Sequence, residues 1–154
     1  LNGANLSEVN FEGANLKGAN LSVTNLYGAY LGGANLRRAN LSDANLTGAY
    51  LKKADLFYAN LSGANLSRVD LSRSKLFKTN LSGANLEGAD LGGYLGSSNL
   101  SYTDFTVAKL RGTDLSGANL KEANLKYANL WGANIKGAIF CNTKTPWGVD
   151  DSGC

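Results

Sequence analysis

The chain has 154 residues, enough for one domain, with a net charge of +3 and 18% charged residues. It holds no histidine and only two cysteines, which excludes a His/Cys metal centre and a Ser-His or Cys-His nucleophile. No apolar run is long enough to cross a membrane, and no dinucleotide or phosphate loop is present, so neither a membrane span nor a cofactor is expected.

From Leu1 the sequence repeats every five residues. Central residues fall at Leu1, Leu6, Phe11, Leu16 and every fifth position to Leu91. The register then slips by one residue at Leu91-Gly92-Gly93-Tyr94-Leu95, and the series resumes from Leu95 to Phe140. Of the 29 central residues, all are Leu except Phe11, Phe105, Ile135 and Phe140. Two positions before the centre stands a small residue, Ala in 19 of 28 cases. The residue just before the centre is Asn in 17 and Asp in five.

A period of five fits neither a helix nor an ordinary strand. It requires a chain that turns a corner every five residues, with one large and one small residue pointing inward. Glycine at the second position after the centre suits a turn that needs φ > 0. Corners at Arg38, Lys53, Tyr58, Arg68 and Arg73 lack glycine and are expected to use another turn geometry. Four repeats make a square coil. The chain then forms about seven coils stacked by parallel hydrogen bonds, roughly 4.8 Å apart. The slip at 91–96 reads either as a tightened corner or as a functional bulge that displays Tyr94.

The string Ala14-Asn15-Leu16-Lys17-Gly18, repeated as in Ala118-Asn119-Leu120-Lys121-Glu122, resembles the pentapeptide-repeat family over residues 1–140. The resemblance implies an all-β fold, a right-handed quadrilateral parallel β-helix. The tail Phe140-Cys141-Asn142-Thr143, Pro146-Trp147-Gly148 and Ser152-Gly153-Cys154 is similar to the C-terminal cap of cyanobacterial and chloroplast members. The expected organisation is a β-helix over 1–140 and a short cap over 141–154. In those relatives a Cys pair closes the cap and the protein lies in the thylakoid lumen or periplasm. The resemblance thus implies a Cys141–Cys154 disulfide, contributing roughly 3 kcal/mol by loop closure. The alternative is two free thiols in a reducing cytosol.

Residues 20 apart stack on one side of such a rod. Phe57, Tyr58, Phe77 and Tyr94 are therefore expected to form one exposed aromatic cluster, flanked by Arg37, Arg38, Lys75 and Lys78. The preceding side adds Tyr30 and Tyr50. Ser22, Ser42, Ser62, Ser82 and Ser101 form a solvated ladder on the following side. Asp70 stacks on Asp90, and Asp150 adjoins Asp151; both pairs read as surface groups, since a solenoid side encloses no pocket. The aromatic cluster reads either as a partner site or as rings that merely stabilise adjacent coils.

The reading that follows is a non-catalytic structural or protein-interaction module with an unidentified protein partner, as a monomer or an end-to-end dimer. Some relatives mimic DNA and bind type II topoisomerases. That alternative needs a strongly negative surface, and the charge of +3 disfavours it; the same small charge disfavours nucleic acid as a partner.

Overall fold

A computed structural model describes all residues from Leu1 to Cys154. Each repeat contributes one bridging residue and, except at the shortened repeat of Leu91, one β-turn. The turn closes when the carbonyl of a central residue accepts from the amide three residues on, as from Ala14 N to Phe11 O (3.0 Å) and Ala39 N to Leu36 O (3.0 Å). The bridging residue is the one before the next centre, most often Asn or Asp, with Tyr30, Tyr50, Lys75, Tyr94, Lys109 and Ile139 in the other places. It pairs in parallel with its counterpart 20 residues on, as in Asn5↔Asn25, Asn25↔Asn45 and Asn45↔Asn65. Four repeats therefore complete one coil. The four sides are named here by their first centres: side 1 from Leu1, side 2 from Leu6, side 3 from Phe11 and side 4 from Leu16.

The corners without glycine do not use another geometry. Arg38 (φ 57°), Lys53 (61°), Tyr58 (61°), Arg68 (58°) and Arg73 (60°) lie in the same left-handed region as Gly33 (64°) and Gly48 (64°). The reason is tertiary. The amide at this position donates to the next coil, as from Arg38 N to Phe57 O (3.0 Å) and Gly33 N to Lys52 O (2.9 Å). Stacking fixes the amide direction, so any residue placed there is held at positive φ, at a cost of roughly 1–2 kcal/mol.

The Asn/Asp column also has a structural task. Its side-chain oxygen accepts the amide two residues on, as from Ser42 N to Asn40 Oδ1 (3.2 Å) and Ser72 N to Asp70 Oδ1 (2.9 Å). This Asx turn bends the chain into the corner. Asn does more than Asp, because its Nδ2 donates along the rod, as from Asn25 to Asn5 (3.0 Å) and Asn45 to Asn25 (3.1 Å).

The inward Leu and Ala columns form one continuous core, with Leu21 through Leu125 fully buried wherever Leu is the centre. At about 1.5–3 kcal/mol per buried Leu, this is the main stabilising term. Inward Thr and Ser residues cap main-chain carbonyls, as from Thr79 Oγ1 to Leu56 O (2.9 Å), Thr103 Oγ1 to Leu81 O (2.7 Å) and Thr113 Oγ1 to Leu91 O (2.8 Å). No buried side-chain nitrogen or oxygen lacks a partner.

The slip is absorbed by a shorter coil. Bridges across it span 19 residues, at Lys75↔Tyr94, Asn80↔Asn99, Asn85↔Asp104 and Asp90↔Lys109, and return to 20 at Tyr94↔Asp114. Gly93 takes the inward small position, and a Cβ there would lie 2.8 Å from Ser74 O. Only glycine fits that approach.

The serine ladder is less solvated than expected. Ser22 and Ser101 are buried, and Ser42, Ser62 and Ser82 are half-buried. The hydroxyls of Ser22, Ser82 and Ser101 donate to the preceding Asn side chain at 2.7–2.8 Å, which folds them against the wall.

At the C-terminal end, β1 (Thr143–Thr145) and β2 (Gly148–Asp150) form an antiparallel hairpin around Pro146-Trp147. β1 continues the solenoid ladder, with Leu125 N donating to Lys144 O (2.6 Å) and Thr143 Oγ1 to Leu120 O (2.7 Å). Cys141 and Cys154 are joined by a disulfide with Cα atoms 4.8 Å apart. This brings Gly153 flat against Phe140, whose main-chain N lies 2.8 Å from where a Gly153 Cβ would stand. The chain contains no helix long and apolar enough to cross a membrane.

Candidate interaction surface

Side 4 carries the aromatic column. Lys75 and Tyr94 bridge there, so their coils are in register, and Phe57 and Phe77 stand one coil apart. The rings of Phe57 and Phe77 lie 5.1 Å apart, those of Phe77 and Tyr94 5.7 Å apart, and Tyr58 meets Phe57 edge-on at 4.7 Å. Phe57 and Phe77 are half-buried, while Tyr58 and Tyr94 are exposed. Phe57, Phe77, Tyr94 and Lys75 line a shallow slot of about 310 Å³.

Cations cover the edges of the cluster. The Arg37 guanidinium lies 4.6 Å from the Phe57 ring centre, Arg38 5.9 Å from Tyr58, and the Lys78 ammonium 5.5 Å from both Tyr58 and Phe77. Each such contact contributes about 0.5–1 kcal/mol at an exposed site. Arg37 is also tied to Asp55 by a 3.1 Å ion pair. Both partners are partly exposed, so the pair holds the guanidinium in place more than it stabilises the fold. Lys75, Arg38 and Lys78 have no carboxylate partner within ion-pair distance.

Tyr30 and Tyr50 stack on each other on side 3, with ring centres 5.1 Å apart and planes 6° from parallel. No ring contact joins them to the Phe57 cluster. They border a separate groove of about 390 Å³ over Gly32 and Gly33, edged by Glu12, Lys52, Lys53 and Asp70. The surface residues read from the sequence thus form two patches on adjoining sides.

A further contact was not picked out from the sequence. Arg111 lies 4.4 Å from the centre of the exposed Trp131 ring, also on side 3. The 20-residue stacking places Arg111 and Trp131 in one outward column, so the same rule that groups Phe57 with Phe77 would have found it.

No group of three or more His, Cys, Asp and Glu side chains is arranged to hold a metal ion. Asp70 and Asp90 bridge one coil apart, each on the outer wall. In the tail, hydrogen bonds from the Ser152 side chain and then its backbone amide hold the Asp150 carboxyl below its ordinary range.

Comparison with known proteins gives one family. The model of pentapeptide repeats matches in eight copies, over residues 1–31, 24–57, 54–93, 94–126 and 103–142. No curated protein matches. Among solved structures, QnrB1, a plasmid-mediated fluoroquinolone resistance protein, is 20% identical with a TM-score of 0.62, over 99% of this chain and 87% of that one. That likeness is one of fold. HetL, a pentapeptide repeat protein involved in heterocyst differentiation regulation in Nostoc sp. strain PCC 7120, is 28% identical over 96% of this chain and 92% of its own, with a TM-score of 0.34. A pentapeptide repeat protein from the Arabidopsis thaliana thylakoid lumen is 28% identical over 90% and 66%, with a TM-score of 0.23.

Proposed function

Because this chain belongs to the pentapeptide-repeat family, we propose that it is a non-catalytic interaction module: a rigid right-handed quadrilateral β-helix of about seven coils that presents its aromatic and basic side to a protein partner. The observation that carries this reading is the slot of Phe57, Phe77 and Tyr94 with Lys75 on its wall and Arg37, Arg38 and Lys78 around it. Aromatic anchors with arginine beside them are the residue types that dominate binding energy at protein interfaces. Phe57, Phe77 and Tyr94 lie outside the core made by the inward Leu and Ala columns.

The compartment we propose is the thylakoid lumen or the periplasm. The Cys141–Cys154 bond supports it, since structural disulfides persist where the milieu is oxidising. Thiol titration of protein taken from its native compartment tests this. No free thiol before reduction and two after is the expected result; two from the outset places the protein in the cytosol. The rod acts as a monomer or an end-to-end dimer.

The functional test compares the wild type with Phe57→Ala/Phe77→Ala as bait in a lumenal or periplasmic extract. A specific partner retained by the wild type and lost by a normally folded double variant is expected. Tight binding to gyrase in competition with DNA contradicts the reading and restores the DNA-mimic role.

A further inference from the structure

The net charge of +3 conceals an asymmetry. Sides 3 and 4 carry eleven of the fifteen Lys and Arg residues and five of the twelve Asp and Glu residues, a net of +6. Sides 1 and 2 with the tail carry the remaining four basic and seven acidic residues, a net of −3. The basic half is also the half with the slot. Its cations are not satisfied within the molecule. Only two ion pairs exist, Arg37–Asp55 and Lys121–Glu122, so Arg38, Lys52, Lys53, Arg73, Lys75 and Lys78 are free of carboxylate partners.

We propose that the partner segment taken by this surface is an acidic polypeptide stretch with an aromatic side chain among its carboxylates. This rests on the interaction-module reading and names the chemistry of the partner. The aromatic side chain enters the slot between Phe57, Phe77 and Tyr94, where the walls are rings and the one charged lining group is Lys75. The flanking carboxylates meet Lys75 and Lys78, which stand on the slot's own side. Charge complementarity selects an acidic occupant, because like charges opposed across an interface are strongly unfavourable. Duplex nucleic acid fits less well. Asp55, Asp70, Asp90 and Asp114 stand in the outer columns of these two sides and interrupt any continuous cationic track for phosphates.

The test uses the full chain and three labelled peptides, Asp-Asp-Phe-Asp-Asp, Asn-Asn-Phe-Asn-Asn and Asp-Asp-Ala-Asp-Asp, read by fluorescence anisotropy at two salt concentrations. The acidic Phe peptide is expected to bind at least about tenfold more tightly than the other two, a difference of about 1.4 kcal/mol. Lys75→Gln/Lys78→Gln is expected to abolish the preference for Asp over Asn. Phe77→Ala is expected to abolish the preference for Phe over Ala. Equal binding of the Asp and Asn peptides, still lost in Phe77→Ala, would overturn the acidic class while leaving the interaction surface standing. Failure of every peptide, together with an extract capture that Phe57→Ala/Phe77→Ala does not change, removes both. Displacement of the acidic peptide by duplex DNA or anionic phosphatidylglycerol vesicles at lower charge concentration also overturns the proposal.

Discussion

Val23 stands at φ 57° and Val107 at φ 53°, a backbone region that β-branched side chains rarely occupy. The amide of Val23 donates to Ser42 O (2.9 Å), so the stack holds it there against its own preference. Val23→Gly is therefore expected to raise stability by about 1 kcal/mol, after the extra chain entropy of glycine is offset against the relieved strain; urea unfolding measures it. The inward columns behave in the opposite way. Leu61 is fully buried in a middle coil, and Leu61→Lys is expected to abolish cooperative folding, because it places an unpaired charge in a dry core. A thermal melt near that of the wild type would contradict the inward assignment. The inward residues were legible because a period of five leaves one place for a large side chain and one for a small one. The left-handed state of Arg38, Tyr58 and Arg73 was not, because it is imposed by hydrogen bonds to the next coil and leaves no mark in local residue preference. The Asx turns were hidden for a related reason: an outward Asn looks solvated until its oxygen is seen on the amide two residues on.

Among the elements, the shortened coil at 91–96 was visible as a break in register, and its tightened-corner reading matches the 19-residue bridges. What the break concealed is the contact that makes it possible. Gly93 faces the main chain of Ser74, so Gly93→Ala is expected to cost more stability than Gly32→Ala, whose backbone is not left-handed and whose added Cβ meets only ordinary contacts at 3.5 Å or more. Denaturant midpoints of the two variants give the comparison, and equal losses would remove the steric account of the slip. The tail was legible as a cap closed by the Cys141–Cys154 pair, though the strand pairing of Thr143–Thr145 with Gly148–Asp150 depends on the last solenoid coil offering Asn124 as a bridging partner. Cys141→Ser/Cys154→Ser is expected to lower stability by roughly 3 kcal/mol at most. The loss is expected at the C-terminal end, with faster amide exchange at Gly153 and little change at Leu61, since each coil contacts only its neighbours. Uniformly faster exchange along the rod would show that the tail stabilises the whole solenoid.

Over the whole molecule, one geometric rule, stacking at 20 residues and at 19 across the slip, was enough to bring Phe57, Phe77, Tyr94 and their cations together from the sequence. It also set Tyr30 and Tyr50 on the preceding side, but it did not show how far the corner parts the two sets of rings, which make no contact with each other. Nor did the net charge show the division into a basic half and a weakly acidic half, which appears only when residues are sorted by side. In the proposed function the labour of the rod is divided: inward columns hold it together, and the rings on side 4 are left for recognition. Urea unfolding of Phe57→Ala/Phe77→Ala beside Leu61→Ala tests that division most directly. Leu61→Ala is expected to lose about 2–5 kcal/mol, and the double ring variant no more than about 1–2 kcal/mol from lost ring and cation contacts. A loss in the ring variant as large as that in the core variant would contradict the account, making the aromatic column part of what holds the coils together.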